Sequence, residues 1–127
     1  MNEQIEKDIK AAGADRAPRV TPADIEAEIA SEHYFTAADG QRGAGGTDVS
    51  GLRDPLELLT FCVLVLRNGF TVTGESACAS RANFNAEIGC KLARAKAVEK
   101  VGHLLGFRLR DKLSAIETAI EPDRDGV

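Results

Sequence analysis

Residues 58–66 read LLTFCVLVL, residues 67–69 RNG and residues 70–78 FTVTGESAC. A continuous apolar run, a turn dipeptide and an alternating run, in that order, spell a β-hairpin. Asn68-Gly69 suits the two positive φ values of a type I′ turn, which makes the loop two residues long and sets the register. Leu66 then pairs with Thr71, Leu64 with Thr73 and Cys62 with Glu75 on one face, and Val65 with Val72, Val63 with Gly74 and Phe61 with Ser76 on the other. In that register Cys62 and Cys78 point to opposite faces, which argues against a disulfide. The first strand is apolar on both faces, so the sheet needs cover on both sides, from the chain's own helices or from another protomer.

Upstream, Thr21-Pro22-Ala23-Asp24 starts a helix, with Thr21 as cap, Pro22 at the first helical position and Asp24 at its positive end. Ile25, Ile29 and His33 share a face, and the helix is expected to end near Tyr34 and Phe35, which dock on the core. Ile5 and Ile9 mark a weak helix that loosens at Gly13 and Pro18, so residues 1–18 are read as a weakly ordered segment. The stretch 38–53 holds Gly40, Gly43, Gly45, Gly46 and Gly51 among polar residues and reads as a mobile loop. It superficially resembles a phosphate cradle, but no Gly-Lys-Ser/Thr follows.

Downstream, Ser80 or Asn83 caps a long helix whose stripe is Phe84, Ile88, Leu92, Ala95, Val98, Gly102 and Leu105. Gly102 and Gly106 are points where it can break or kink. Leu109, Leu113, Ile116 and Ile120 resume the period until Pro122, and 122–127 form a frayed tail. The fold class is therefore α+β: an antiparallel hairpin or small sheet packed with an N-terminal helix and a long C-terminal helix, with oligomerisation expected to complete it if the chain's own helices do not. Residues 19–121 are expected to form a single domain, which the resemblance described below makes a ligand-binding one.

Composition narrows the function. The 127 residues allow one domain, and a net charge of −4 disfavours binding to long nucleic acid. No run approaches the roughly 18 apolar residues of a membrane span, and Met1–Lys10 lacks the features of a signal peptide, so a cytoplasmic protein with no membrane partner is expected. Three cysteines without CxxC spacing and two histidines do not suggest a metal site, and no cofactor is implied. His33 and His103 are isolated and no nucleophile, base and orienter set is visible, so enzyme activity is not expected.

A small anionic ligand remains compatible with an acidic chain. At helical spacing Lys91 falls inside the apolar stripe and Arg94 at its border, where both could meet a phosphate; snorkelling to water is the alternative. Arg81, Arg108 and Arg110 extend the cationic set. Phe84 could stack a base or anchor the core, and Asn83 and Asn85 could read a base edge or cap the helix. Thr71, Thr73, Glu75 and Ser76 give the second strand a polar edge that could meet sugar hydroxyls.

The stretch from Leu59 to Cys78, with NGFTVTGESA at its centre, followed by Asn83-Phe84 and Glu87-Ile88-Gly89, resembles a family of small phage proteins. The upstream segment from Val20 to Phe35 is similar as well, and the likeness spans roughly residues 19–113. To this family are referred the Thoeris anti-defence protein 1 sponges. The resemblance implies a phage anti-defence protein that sequesters cyclic ADP-ribose isomers such as gcADPR made by TIR enzymes, and cyclic di- or trinucleotides of CBASS systems, without cleaving them. It implies a homo-oligomer, a dimer or a hexamer built from dimers, with pockets between protomers in the host bacterial cytoplasm. On matched positions Phe84 would stack the base and Asn83 contact it, with Arg108 and Arg110 holding phosphate or ribose, and Arg19 and Thr21 contributing to a second site. Cys90, Asn85 and Gly102-His103-Leu104 depart from the family pattern. The other class of reading is a small phage protein that binds and inhibits a host protein.

Overall fold

The computed structural model describes residues 3–45 and 55–120. In chain order these form α1 (Glu3–Ala11), α2 (Pro22–Glu28), β1 (Ile29–Thr36), α3 (Ala37–Gly43), a 3-10 turn (Pro55–Leu58), β2 (Leu59–Leu66), β3 (Thr71–Ala77), a second 3-10 turn (Arg81–Asn83) and α4 (Ala86–Ile120). The fold is α+β, with N-terminal helices, a three-stranded antiparallel sheet in the order β1-β2-β3 and a long C-terminal helix. The expected tail, 122–127, and the part of the glycine-rich stretch from 46 to 53 lie outside the described residues. Two compact units are distinguished: residues up to Glu26 together with those from Val101 onward, and residues Ala27–Lys100.

The hairpin forms with a different turn. Gly69 donates to the Leu66 carbonyl at 2.9 Å and Leu66 N–H to the Phe70 carbonyl at 2.8 Å, so the loop is Arg67-Asn68-Gly69, three residues long. Gly69 has φ +88°, and no residue other than glycine takes a positive φ among those described, so Asn68 cannot supply the first half of a type I′ turn. Its carboxamide instead accepts from Phe70 N–H at 2.9 Å, a local bond that fixes the turn.

One extra loop residue slips the register by one. Leu64 pairs with Val72, Cys62 with Gly74 and Thr60 with Ser76 on one face, and Val65 with Thr71, Val63 with Thr73 and Phe61 with Glu75 on the other. The buried sets of both strands now coincide: Thr60, Cys62, Leu64 and Leu66 on β2, Val72, Gly74 and Ser76 on β3. The expected register would have put Leu64 and Cys62 opposite polar, exposed partners. The cysteines stay apart for another reason than the one expected. Cys78 N–H bonds the Leu58 carbonyl, four pairs from Cys62, about 13 Å at strand rise, and all three cysteines are free.

The helix begun at Thr21 is shorter than its periodicity suggests. Thr21 and Asp24 do form the reciprocal cap, Asp24 N–H to Thr21 Oγ1 at 3.1 Å and Thr21 N–H to Asp24 Oδ2 at 2.9 Å. The helix ends at Glu28 and the chain becomes β1, with Tyr34 opposite Cys62 and Phe35 opposite Phe61. The β-branched and aromatic run Ile29 to Thr36 suits a pleated strand, and pairing with β2 outweighs the i, i+4 match of Ile25, Ile29 and His33. Tyr34 and Phe35 are not core anchors; they remain 38% and 39% exposed, on opposite faces of the edge strand.

The start of the glycine-rich stretch is a helix and not a loop. Thr36 caps α3, accepting from Asp39 N–H at 3.1 Å while Asp39 Oδ2 accepts from Thr36 N–H at 2.9 Å, and Ala38 is wholly buried. Reciprocal capping offsets the poor helix propensity of Gly40 and Gly43.

In the unit Ala27–Lys100, α4 lies on the face that carries Cys62, Leu64 and Gly74. A Cβ at Gly74 would fall against the Ala93 carbonyl and 2.5 Å from Ala97 N. This close approach explains the helix's buried stripe, Gly89, Ala93 and Ala97: small residues, not the large ones expected. Ile88 and Leu92 are instead 55% and 52% exposed. The opposite sheet face is covered in part: α3 reaches it at Phe35, whose ring stacks at 5.7 Å from Phe61, while Thr71, Thr73 and Glu75 are exposed and Val63 and Val65 half-buried.

In the other unit Ile25, Val101 and Leu105 are buried, with Ile25 Cδ1 3.4 Å from where a Gly102 Cβ would sit. Gly102 and Gly106 neither break nor end α4, which is continuous over 35 residues.

Candidate functional site

Within Ala27–Lys100 lie four of the sequence candidates, Asn83 and Phe84 just before α4 and Lys91 and Arg94 on it. Its cap is Asn85, whose Oδ1 accepts from Ile88 N–H at 3.0 Å, rather than Ser80 or Asn83. Asn83 belongs to the preceding 3-10 turn and its side chain is exposed. Phe84 is half-buried, with Cε2 3.9 Å from the position of a Gly89 Cβ, so its ring edge lies against the helix start. Beside it Thr60 Oγ1 lies 3.0 Å from the same position, buried and without a hydrogen-bond partner.

Lys91 does not project from the buried stripe. Its side chain is 74% exposed and pairs with Glu87 at 3.3 Å one turn earlier, as a solvated surface lysine does. Displacement of the stripe from Ile88 and Leu92 to Gly89 and Ala93 moves Lys91 onto the wet side.

Arg94 is placed differently. Its Nε and Nη2 both donate to Glu32 Oε2, at 3.1 and 3.0 Å, tying α4 to edge strand β1. Tyr34 donates to Glu32 Oε1 at 2.9 Å, so both carboxylate oxygens are engaged. The Arg94 guanidinium, more than any other neighbour, holds the Glu32 carboxyl below its ordinary value against a smaller opposing effect of burial. Burial first, then the hydrogen bond to Glu32, pushes the Tyr34 hydroxyl far up, and burial raises the Cys62 thiol. These groups are neutral Tyr and Cys and a charged Glu–Arg pair at neutral pH. Arg81 is paired with Glu57.

The remaining candidates belong to the other unit. Arg19 grips Glu6 with two bonds, Nη1 to Oε1 at 2.9 Å and Nη2 to Oε2 at 2.8 Å, and both side chains are about four-fifths buried. The bond lowers the Glu6 carboxyl and raises Arg19 further. Arg19 and Thr21 line a cavity of about 540 Å³ with Glu6, Lys7, Lys10 and Pro22. Thr21 Oγ1 is committed to the α2 cap there. Arg108 and Arg110 are exposed on α4, and Arg110 Nη2 donates to Glu117 Oε2 at 2.8 Å.

The structure thus brings Asn83 and Phe84 together at the helix start, directs Arg94 to a protein carboxylate and leaves Lys91 in solvent. Two features escaped sequence reasoning. The Glu32–Tyr34 pair was hidden by reading that segment as helix; its i, i+2 spacing is the strand signal that could have revealed it. Phe107, 72% exposed between Gly106 and Arg108, was passed over because it sits where a helical period predicts no core residue. Among the described residues no group of three or more His, Cys, Asp or Glu could hold a metal, and no helix is long and apolar enough to cross a membrane.

Residues 20–113 match the model of the phage protein (N4 Gp49/phage Sf6 gene 66) family. No curated protein and no solved structure matches the chain.

Proposed function

Since this chain belongs to the N4 Gp49/phage Sf6 gene 66 family of phage proteins, we propose that it is an anti-defence sponge, which binds a cyclic nucleotide immune signal and withholds it from its receptor without cleaving it. The ligands are cyclic ADP-ribose isomers such as gcADPR and, at a second site, cyclic di- or trinucleotides. The match of residues 20–113 to this phage family carries the reading, taken together with the resemblance of residues 59–78 and Asn83-Phe84 to the Thoeris anti-defence sponges that the sequence suggests.

Several structural features support it. The sheet face bearing Val63 and Val65 is incompletely covered by the described residues of its own unit, and a second copy would complete it. Phe84 is only half-buried and adjoins exposed Asn83, a pairing of aromatic and amide suited to a base. Arg108 and Arg110 give α4 cationic groups for phosphate. The cavity at Arg19 and Thr21 has room for part of a second ligand, its wall carrying Lys7 and Lys10 alongside the carboxylates of Glu3 and Glu6. Arg94 is given to Glu32, so it acts as a tie between α4 and β1 rather than as a ligand contact.

Mass action suffices for sequestration, because once sites outnumber the signal and Kd lies below its concentration, the free signal falls and no turnover is needed. A melting-shift screen tests the proposal with cyclic ADP-ribose isomers and cyclic di- and trinucleotides. Binding at 100 times Kd adds about 2.7 kcal/mol and a clear rise in Tm. A rise with one of these compounds supports sequestration. No rise with any of them, together with a stable complex with a host protein, favours the inhibitor reading instead.

A further inference from the structure

Asn68-Gly69 marks the hairpin, and the same dipeptide carries a chemistry that nucleotide binding does not use. A main-chain nitrogen can close on the carboxamide of the asparagine before it, and glycine is the residue that puts no Cβ in the way. Both residues are exposed at the hairpin tip, and a Cβ at Gly69 would meet nothing within 4 Å, so the space around this bond is open. Two hydrogen bonds of the turn bear on the reaction. Asn68 Oδ1 accepts from Phe70 N–H at 2.9 Å. As Gly69 N adds to Asn68 Cγ, negative charge gathers on that oxygen, so a donor already points at the developing oxyanion. Gly69 N–H donates to the Leu66 carbonyl at 2.9 Å, and its nitrogen must leave that bond to attack. Leaving one exposed main-chain bond slows the attack about twofold to tenfold. A buried oxyanion donor speeds it about a hundredfold or more, and an exposed one offsets a single bond.

The other described asparagines lack this combination. Asn83 precedes Phe84, whose side chain crowds the approach, and Asn85 precedes Ala86 with its Oδ1 held by Ile88 N–H at 3.0 Å. We propose that Asn68 is a site of spontaneous deamidation in the folded protein, with water as the only co-reactant. Gly69 N loses its proton to water and bonds Asn68 Cγ; the Cγ–Nδ2 bond breaks, and the amide nitrogen takes up a proton and leaves as ammonia. Water then opens the resulting succinimide. Breaking the bond from Cγ to the Gly69 nitrogen gives aspartate, and breaking the bond from the main-chain carbonyl carbon to that nitrogen gives isoaspartate. Aspartate keeps the loop, because its carboxylate accepts from Phe70 N–H more strongly than the amide does. Isoaspartate lengthens the main chain by one atom in a loop closed by bonds of 2.9 and 2.8 Å at Leu66. It therefore opens the loop that fixes the register of β2 and β3. This modification is independent of what the protein binds.

The test is peptide mapping by mass spectrometry on the whole protein, stored folded in warm, neutral buffer, with ion-exchange chromatography and enzymatic methylation of isoaspartyl groups alongside. Amide is lost from Asn68 while Asn83 and Asn85 stay intact, acidic species accumulate, and part of them accepts the methyl group. The isoaspartyl fraction melts below fresh protein, whereas Asn68→Asp melts with it or above it. Asn68→Ser keeps a side-chain acceptor in the turn but has no carboxamide, and it accumulates acidic species far more slowly. If Asn83 or Asn85 converts as fast as Asn68, or if Asn68→Ser acquires acidic species at the wild-type rate, the site is wrong. If Asn68 converts only in the urea-unfolded chain and stays intact in folded protein, the bond to Leu66 prevails and the proposal fails.

Discussion

Replacing Gly74 by alanine puts one methyl group into the tightest contact between the sheet and α4. The added Cβ would lie against the Ala93 carbonyl and 2.5 Å from Ala97 N, whereas ordinary van der Waals contact begins at 3.4 Å. The helix backbone must therefore withdraw by about 1 Å or slightly more, since the Ala93 carbonyl is closer still than Ala97 N and the opposing atoms belong to main chain and cannot rotate away. A gap of that size forfeits a quarter to a half of the dispersion energy of the atoms it separates, here around Ala93, Ala97, Cys62 and Leu64, all wholly buried. Overpacking typically costs about 1–3 kcal/mol, and the rigid backbone places this case at or above the top of that range. A smaller gain, about 0.4–1 kcal/mol from stiffening the unfolded chain, offsets part of it. The net loss is about 2–3 kcal/mol, which corresponds to a fall in Tm of roughly 5–15 °C in a chain of this size. Gly106→Ala is the control: its Cβ would meet nothing within 4 Å, so helix propensity alone acts and raises stability by about 1 kcal/mol. Urea unfolding followed by circular dichroism measures both. If Gly74→Ala is as stable as the wild type, α4 does not rest on Gly74 and the observed register is refuted.

Thr60→Val keeps the branched shape and removes a buried hydroxyl that has no partner, so it should stabilise by about 1 kcal/mol in the same assay; a loss would reveal a bond to that oxygen. Asn85→Ala removes the α4 cap and should cost about 1 kcal/mol, while Asn83→Ala should be close to neutral in urea melts. Stability should decline in acid. The Glu32 and Asp39 carboxyls are held below their ordinary values when folded, so their contribution is present above the unfolded pKa and is lost as pH falls through the folded pKa. Glu32→Gln should reduce that acid-side slope, the partly exposed pair with Arg94 being worth at most about 1 kcal/mol, and an unaltered slope would dismiss the tie.

The legible part of the fold was that written in local chemistry. The apolar run 59–66, the Asn-Gly turn and the alternation in 71–77 specified a hairpin, and Thr21 with Asp24 specified a helix start. Two kinds of fact were not local. Whether Asn68 or Gly69 alone takes the left-handed conformation decides between a two- and a three-residue loop, and the register of every pair follows from it. The depth at which α4 seats on the sheet depends on Gly74, so the helix buries Gly89, Ala93 and Ala97 and exposes Ile88 and Leu92. Hydrophobicity scored the larger residues as core because it does not register closeness of approach. The same error carried Lys91 inward. The site was legible only in outline: Phe84 and Asn83 are adjacent as their spacing implies, but Arg94 answers to Glu32, a partner 62 residues away that becomes a neighbour only when residues 29–36 form a strand.

The central claim, capture of a cyclic nucleotide without chemistry, is tested most directly by loading the whole protein with gcADPR, removing unbound compound, denaturing the complex and identifying by mass spectrometry what is released. The account predicts stoichiometric recovery of the intact cyclic molecule, in proportion to protein, and loss of most of it from Phe84→Ala. Recovery of only the opened, linear product, or of no nucleotide from well-folded protein, would contradict it.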